Sequence, residues 1–355
     1  MKEKVKKILS KRPLRKKEPE QSLIQAIQGL PRITNETVAE HREEVLSSAR
    51  KYIYPLQHSP HRVVIISSAL LVLVVVAFFT YCLLALYKFQ SSSTFIYRIT
   101  QVIPFPIAKA DGRYVAYENY LFELRHYIHY YQTQQRVDFN SESGKQQLEE
   151  FRDRAMQRVV DYAYVKELAK EHEVKVSDQE LDDAIRLVRN QNRLGSSDQV
   201  FEDVLKEFWG WSVSDFKREL KQQMLTQKVM SSLDTPTNQE AKSVYDRLQA
   251  GEDFAALAKS SSDDATTREN GGDYGFAIGQ SDRNLPPQVI DALFRLKPGQ
   301  LSGIINTGTG LEIIKLNEVD GTKVRASHIV FTFKPIDSYI DPIKDKQKPR
   351  YFISQ

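Results

Sequence analysis

The chain has 355 residues, 27% charged and 41% hydrophobic, with 15 Gly and 14 Pro, which is too long for one small domain and unlike a fibrous or wholly disordered composition. One cysteine, Cys82, excludes an intramolecular disulfide framework and a CxxC zinc site, and the seven histidines show no metal-site spacing, so no metal and no cofactor is expected. The net charge of +4 conceals an asymmetry, because residues 1–62 hold 14 Lys+Arg against 7 Asp+Glu and the remainder 36 against 39; the acidic body argues against a nucleic-acid partner.

The basic head opens with MKEKVKKILSKRPLRKK and is expected to be a solvated, disordered cytoplasmic tail over 1–62, with lipid contact through Lys and Arg as the alternative. From Val63 to Tyr87 follow 25 residues without a charge, roughly 37 Å of helix at ~1.5 Å per residue, enough to span a bilayer core. Arg50, Lys51, His61 and Arg62 precede this run, and only Lys88 and Arg98 follow it closely, so the positive-inside rule places the N-terminus in the cytoplasm and the body after residue 88 outside. A cleaved signal peptide would want a shorter apolar run, a shorter head and a clear A-x-A site. Cys82 follows Phe-Thr-Tyr, where a lipidation site would want small residues.

A Ser-rich, Pro-punctuated stretch over 88–106 is expected to be a linker. Leu148, Phe151, Ala155, Val159, Tyr162 and Ala169 then mark one long amphipathic helix. Ser177 and Glu180 form a capping box ahead of Leu181, Ala184, Ile185 and Val188. Phe201, Val204, Leu205 and Phe208 mark another helix, stopping near Gly210, and Phe216, Leu220 and Met224 the next. Seven Tyr and Phe residues from Tyr114 to Tyr131, then Trp209 and Trp211, suit a core first and an apolar groove for extended chains second.

The segments ADGRYVAYENYL (Ala110–Leu121), VVDYAYVKELAKEHEVKVSDQELDDAI (Val159–Ile185) and WGWSVSDFKRELKQQMLTQKV (Trp209–Val229) resemble the helical chaperone region of the SurA, PrsA and PpiD group of extracytoplasmic folding factors. That resemblance implies a cradle for non-native polypeptide over 107–234.

After Pro236, Thr237 and Glu240 form a second capping box, for a helix stopping at Gly251. Four blocks follow: DFAALA with Ser-Asp-Asp, GGDYG, ALFRLKPGQLSG, and T-x-x-G-x-x-I-I. In this order they resemble the parvulin family of peptidyl-prolyl isomerases over about 238–331. The family's opening strand, of the type R-x-S-H-I-L, is missing before the first helix, and VRASHIVF stands instead at Val324–Phe331, after the strand that normally ends the domain. A short Asp320-Gly321 turn can pair Leu311–Val319 with Lys323–Phe331 as a hairpin, so the domain over 235–333 reads as circularly permuted. A second repeat of which only one strand exists is the rival; it would leave Ile329, Val330 and Phe331 without a core. The tail 334–355 yields no reading.

The expected fold class is therefore α+β: one transmembrane helix, a helical chaperone-like region, then a four-stranded antiparallel sheet with surrounding helices. The resemblance implies a polar site of His328, Asp264 and Thr309, with Leu285 and Phe294 forming an apolar wall for the proline. Glu312 stands where a second histidine is expected, and Val289 where a Phe commonly covers the proline. Two carboxylates, Asp264 and Glu312, in a low-dielectric site repel, so that one holds a proton or both recruit His328 as an ion-pair partner. His328 can equally be a buried structural residue in a domain that only binds. Two functions follow: a membrane-tethered extracytoplasmic folding factor acting on unfolded or nascent secreted and membrane polypeptides, or a non-enzymatic membrane scaffold. Oligomeric state is not readable.

Overall fold

Alternation of charge over residues 35–53 puts Glu36 in the first turn and Arg50 and Lys51 in the last, both favourable to the helix dipole, and this segment forms helix α1 (Asn35–Ile53). Part of the head expected to be disordered is thus helical. The computed structural model describes residues 34–53, 60–191 and 197–353; the first basic cluster lies outside them. The uncharged run forms α2 (Pro60–Leu83), which ends in a π-helical turn (Leu84–Lys88). Among the described residues it is the one helix long and apolar enough to cross a membrane, with a mean hydropathy of 2.9.

The chain divides into two compact units, residues 1–80 and 81–355. In the second unit, the stretch read as a linker contains α3 (Thr94–Val102), capped by the Ser93 side chain, with Ile96 and Thr100 buried. Strands β1 (Pro106–Ala110) and β2 (Arg113–Ala116) pair antiparallel and lead into α4 (Tyr117–Thr133) and α5 (Glu142–Glu171). The expected spacing is visible in the burial of Phe151, Ala155 and Val159 along α5. Helices α6 (Asp178–Gln191), α7 (Asp198–Trp209) and α8 (Val213–Leu233) follow. The Ser177–Glu180 box forms, with the Ser177 backbone N–H donating to Glu180 Oε2 at 2.8 Å.

The C-terminal tail returns to this helical domain. Helix α12 (Asp337–Lys346) and strand β7 (Arg350–Tyr351) close the chain. Strand β7 pairs with β1 through Ala108 and Tyr351, Ile340 is fully buried in the core shared with Tyr164 and Ile107, and Lys344 Nζ lies 2.7 Å from Asp161.

Between α8 and the tail stands the second domain. Helix α9 (Thr235–Gln249) begins two residues before the expected box, because the Asp234 carboxylate takes the Thr237 N–H. Helix α10 (Phe254–Ser261), the dipeptide strand β3 (Ile278–Gly279), helix α11 (Pro287–Leu293), and strands β4 (Ile305–Asn306), β5 (Gly310–Asp320) and β6 (Lys323–Thr332) complete it. The sheet is antiparallel in the order β3-β6-β5-β4, so the displaced VRASHIVF segment lies inside it. Gly321, at φ +60°, opens the two-residue turn of the β5–β6 hairpin. Side-chain alternation sorts the hairpin into two faces. Leu311, Ile313, Ile329 and Phe331 pack with residues of α9 and α10. Ile314, Leu316, Val324 and Ala326 pack with Val289 and Leu293 of α11.

Asp234, fully buried, sits where the chain passes between the domains in both directions. Its carboxylate caps α9 and accepts the Lys334 N–H at 2.8 Å.

Candidate active site

His328 and Glu312 have even numbers on adjacent strands and therefore lie on the α11-facing side of the hairpin. His328 pairs with Ile314 and Glu312 with Val330, a diagonal placement that brings long side chains within reach of each other. Glu312 Oε1 lies 2.7 Å from His328 Nδ1. Asp264 arrives on the other side of the ring from the loop after α10. That loop runs along β6: Asp263 donates its N–H to the Val330 carbonyl at 2.8 Å, and Asp263 Oδ2 accepts from Thr332 N at 2.7 Å. Asp264 Oδ2 consequently stands 3.0 Å from His328 Nε2. Gly272 brings the GGDYG turn against the same strand. It sits at φ +82°, and a Cβ there would lie 2.2 Å from the His328 carbonyl oxygen; its own carbonyl accepts the His328 N–H at 2.8 Å.

Two side chains absent from the sequence-based set complete the network. Thr267 Oγ1 is 2.9 Å from His328 Nε2 and donates to Asp264 Oδ2 at 2.7 Å. The Tyr274 hydroxyl donates to Glu312 Oε1, and its ring centroid lies 4.0 Å from that of His328. Signals for both were present, a hydroxyl three residues after Asp264 and the aromatic of GGDYG, but nothing in the sequence assigned them a partner. Thr309 lies elsewhere: it is exposed, and its backbone carbonyl accepts the Phe333 N–H at 3.0 Å. Leu285 and Phe294 are half-buried in the cluster that includes Tyr274, whereas Val289 is fully buried in that cluster's core.

The electrostatics are those of an imidazole held between two carboxylates. A neutral ring donates from Nδ1 to Glu312 and accepts from the Thr267 hydroxyl; a charged ring donates to both carboxylates while Thr267 turns to Asp264. Burial acts to raise the Asp264 carboxyl, but hydrogen bonds from Thr266 and Thr267 and the nearby His328 outweigh it and hold the group at about 2. Burial first, and Glu312 second, push the Tyr274 phenol far above its ordinary value, so it stays a donor. The two carboxylates face opposite nitrogens of one ring and not each other.

A curled four-stranded antiparallel sheet with such a network on its inner strand defines a parvulin-type domain, joined here to a helical domain. Residues 224–318 match the family model of the PPIC-type PPIase domain, and residues 58–230 match that of the SurA-like N-terminal domain. The first match stops before β6. The chain is similar to the periplasmic chaperone PpiD of Escherichia coli (strain K12), 40% identical over 94 residues, which are 26% of this chain and 14% of PpiD. It is also similar to the foldase protein PrsA of Clostridium botulinum, 28% identical over 244 residues in strain Langeland, covering 59% of this chain and 69% of that protein. The pairing of domains is thus SurA/PrsA/PpiD-like, and the matched part spans about one seventh of PpiD.

Proposed function

We propose that the chain is a membrane-tethered extracytoplasmic folding factor whose helical domain binds non-native polypeptide and whose parvulin-type domain isomerises X-Pro bonds. The observation that carries this reading is the Asp264–His328–Glu312 network, closed by Thr267 and Tyr274, on the inner strand of that domain. Isomerisation needs no nucleophile, nucleotide or cofactor. Its barrier of ~18–20 kcal/mol comes from amide resonance, and an enzyme lowers it by favouring the twisted imide over the planar one. Here Leu285 and Phe294 supply apolar surface for the proline ring, and Asp264, the most accessible member of the Asp264–His328–Glu312 network, faces the imide with its charge held by Thr266 and Thr267.

A second reading, binding without catalysis, is favoured by one observation. His328 is 7% exposed and both its ring nitrogens are occupied, as in a structural core histidine. Rates of cis/trans isomerisation of a proline peptide, measured with the full chain in detergent and with His328→Ala, separate the two. Catalysis lost in the variant supports the enzyme, whereas equal rates leave the domain a binding role. Delayed aggregation of an unrelated unfolded protein, without nucleotide, tests the helical domain.

A further inference from the structure

Helices α4, α7 and α8 enclose a pocket of about 250 Å3 on the helical domain, lined among others by His126, Trp209, Trp211, Phe216 and Glu219. Its walls are aromatic faces. His126 stacks on Trp211 with ring centroids 4.4 Å apart, and Tyr130 stacks on Trp209 at 5.2 Å. Three buried polar atoms of the lining have no hydrogen-bond partner among the described residues: His126 Nδ1, Trp211 Nε1 and Glu219 Oε2. Buried polar atoms are ordinarily paired, and three around one small pocket ask for an occupant.

Charge indicates which occupant. Glu123 and Glu219 share a single guanidinium, Arg158, whose Nε is 3.3 Å from Glu123 Oε2 and whose Nη2 bonds Glu219 Oε1. Of the other guanidiniums lining the adjoining cavity, Arg218 is committed to Glu118 through two bonds of 2.6 and 3.0 Å, and Arg154 lies over the Phe151 ring. Arg158 thus answers Glu219 through Oε1, and Oε2 is left unpaired. Burial pushes His126 down to about 4, so its ring is neutral at physiological pH and can offer an acceptor.

We propose that this pocket is a subsite for a basic side chain of a bound polypeptide, with arginine preferred. The proposal rests on the reading that the helical domain binds polypeptide. A guanidinium is planar and stacks on aromatic faces, and its five N–H donors can serve Glu219 Oε2 and His126 Nδ1 together. Trp211 Nε1–H then donates to a carbonyl of the guest backbone. A larger cavity shares Glu219 and Gln223 with the pocket and is lined by the amides of Asn119, Gln157, Gln222 and Gln227, groups suited to main-chain hydrogen bonds of any sequence. A lysine ammonium lacks the plane and the fork, and a neutral side chain offers Glu219 Oε2 no charge-assisted donor.

Trp209 and Trp211 are the only two tryptophans in the chain, so tryptophan emission reports directly on the pocket. The full chain in detergent is titrated with an unstructured Gly/Ser/Ala peptide carrying one central arginine, and with the same peptide carrying citrulline, its neutral isostere. The arginine peptide should shift the emission saturably and bind at least about tenfold more tightly than the citrulline peptide, a difference of about 1.4 kcal/mol. Glu219→Gln should abolish the preference and leave citrulline binding unchanged. Equal affinities in the wild-type chain overturn the proposal, and that comparison needs no variant to fold. An arginine preference that survives intact in folded Glu219→Gln overturns it too. Aggregation suppression with equal peptide affinities removes the subsite and leaves the folding-factor reading standing; absence of both suppression and peptide binding removes both.

Discussion

Thr267 and Thr309 carry the same hydroxyl, but only Thr267 reaches His328. Family position pointed to Thr309, whereas the side chain that touches both His328 and Asp264 stands three residues beyond Asp264 in the same loop. Sequence alone could not choose between them, because both follow turns and each is far in the chain from residue 328. Thr267→Val removes a donor from Asp264 and a partner from His328, a loss of about 1–3 kcal/mol, and should slow isomerisation and lower the melting temperature; Thr309→Val should change neither. Isomerase rates and thermal melts of the two variants check this. Glu312→His should raise the rate if the carboxylate weakens the site, since it restores a second histidine beside His328; an unchanged or lower rate shows that Glu312 is needed to orient the ring and hold Tyr274.

Glu123, 3% exposed, gives a residue-scale prediction in pH. Burial, partly offset by Arg158, raises its carboxyl from 4.5 to about 7. The folded state therefore binds the proton more tightly than the unfolded one, so stability is withdrawn as pH rises from about 4.5 to 7. Glu123→Gln mimics the protonated form. The variant should match the wild type at pH 4.5 and exceed it by up to a few kcal/mol at pH 8, as read from paired melts; a constant difference across that range would show that Glu123 does not titrate there.

At the scale of elements, strong periodicity was legible and partner-dependent structure was not. The α5 stripe and the Ser177 box were visible because their signals are local. The β5–β6 hairpin was visible because a parvulin-like strand stood on the far side of a glycine turn. Helices α3 and α12 and strand β7 were not: nine residues, ten residues and a dipeptide lack enough pattern of their own and are fixed by burial against α4, α5 and β1. The consequence is a pair of truncations with different outcomes. Ending the chain at Lys334 keeps the four-stranded sheet and the Asp234 bond but strips Ile340 and the β7 pairing from the helical domain. Ending it at Gly321 removes β6 as well, with Ile329 and Phe331, and a loss of several kcal/mol is a large part of a typical stability of about 5–15 kcal/mol. Hydrogen exchange should show only the helical domain loosened in the first and both domains loosened in the second. Full protection of β5 after the Gly321 truncation would show that β6 is dispensable to the sheet.

For the whole molecule, the proposed function depends on the side of the membrane to which the body would be delivered. A helix with a mean hydropathy of 2.9 can span, but either orientation would satisfy the hydrophobic effect. Orientation is set by the flanks, with Arg50, Lys51 and Arg62 before the helix against Lys88 and Arg98 after it. The excess is modest close to the helix and grows over the whole head, which holds 14 Lys+Arg against 7 Asp+Glu. The proposed orientation would put the body outside, where nucleotide is scarce, in keeping with proposed activities that require none. Protease added to intact cells, or to spheroplasts where an outer envelope intervenes, should remove an epitope placed after residue 333 and spare one placed before residue 34. Protection of the C-terminal epitope would put the body in the cytoplasm and exclude secreted polypeptides as its substrates. Neutralising Lys2, Lys4, Lys6, Lys7 and Lys11 together should weaken the bias if these distal lysines contribute; an unchanged orientation would assign the signal to the remaining basic residues, of which Arg50, Lys51 and Arg62 lie nearest the helix.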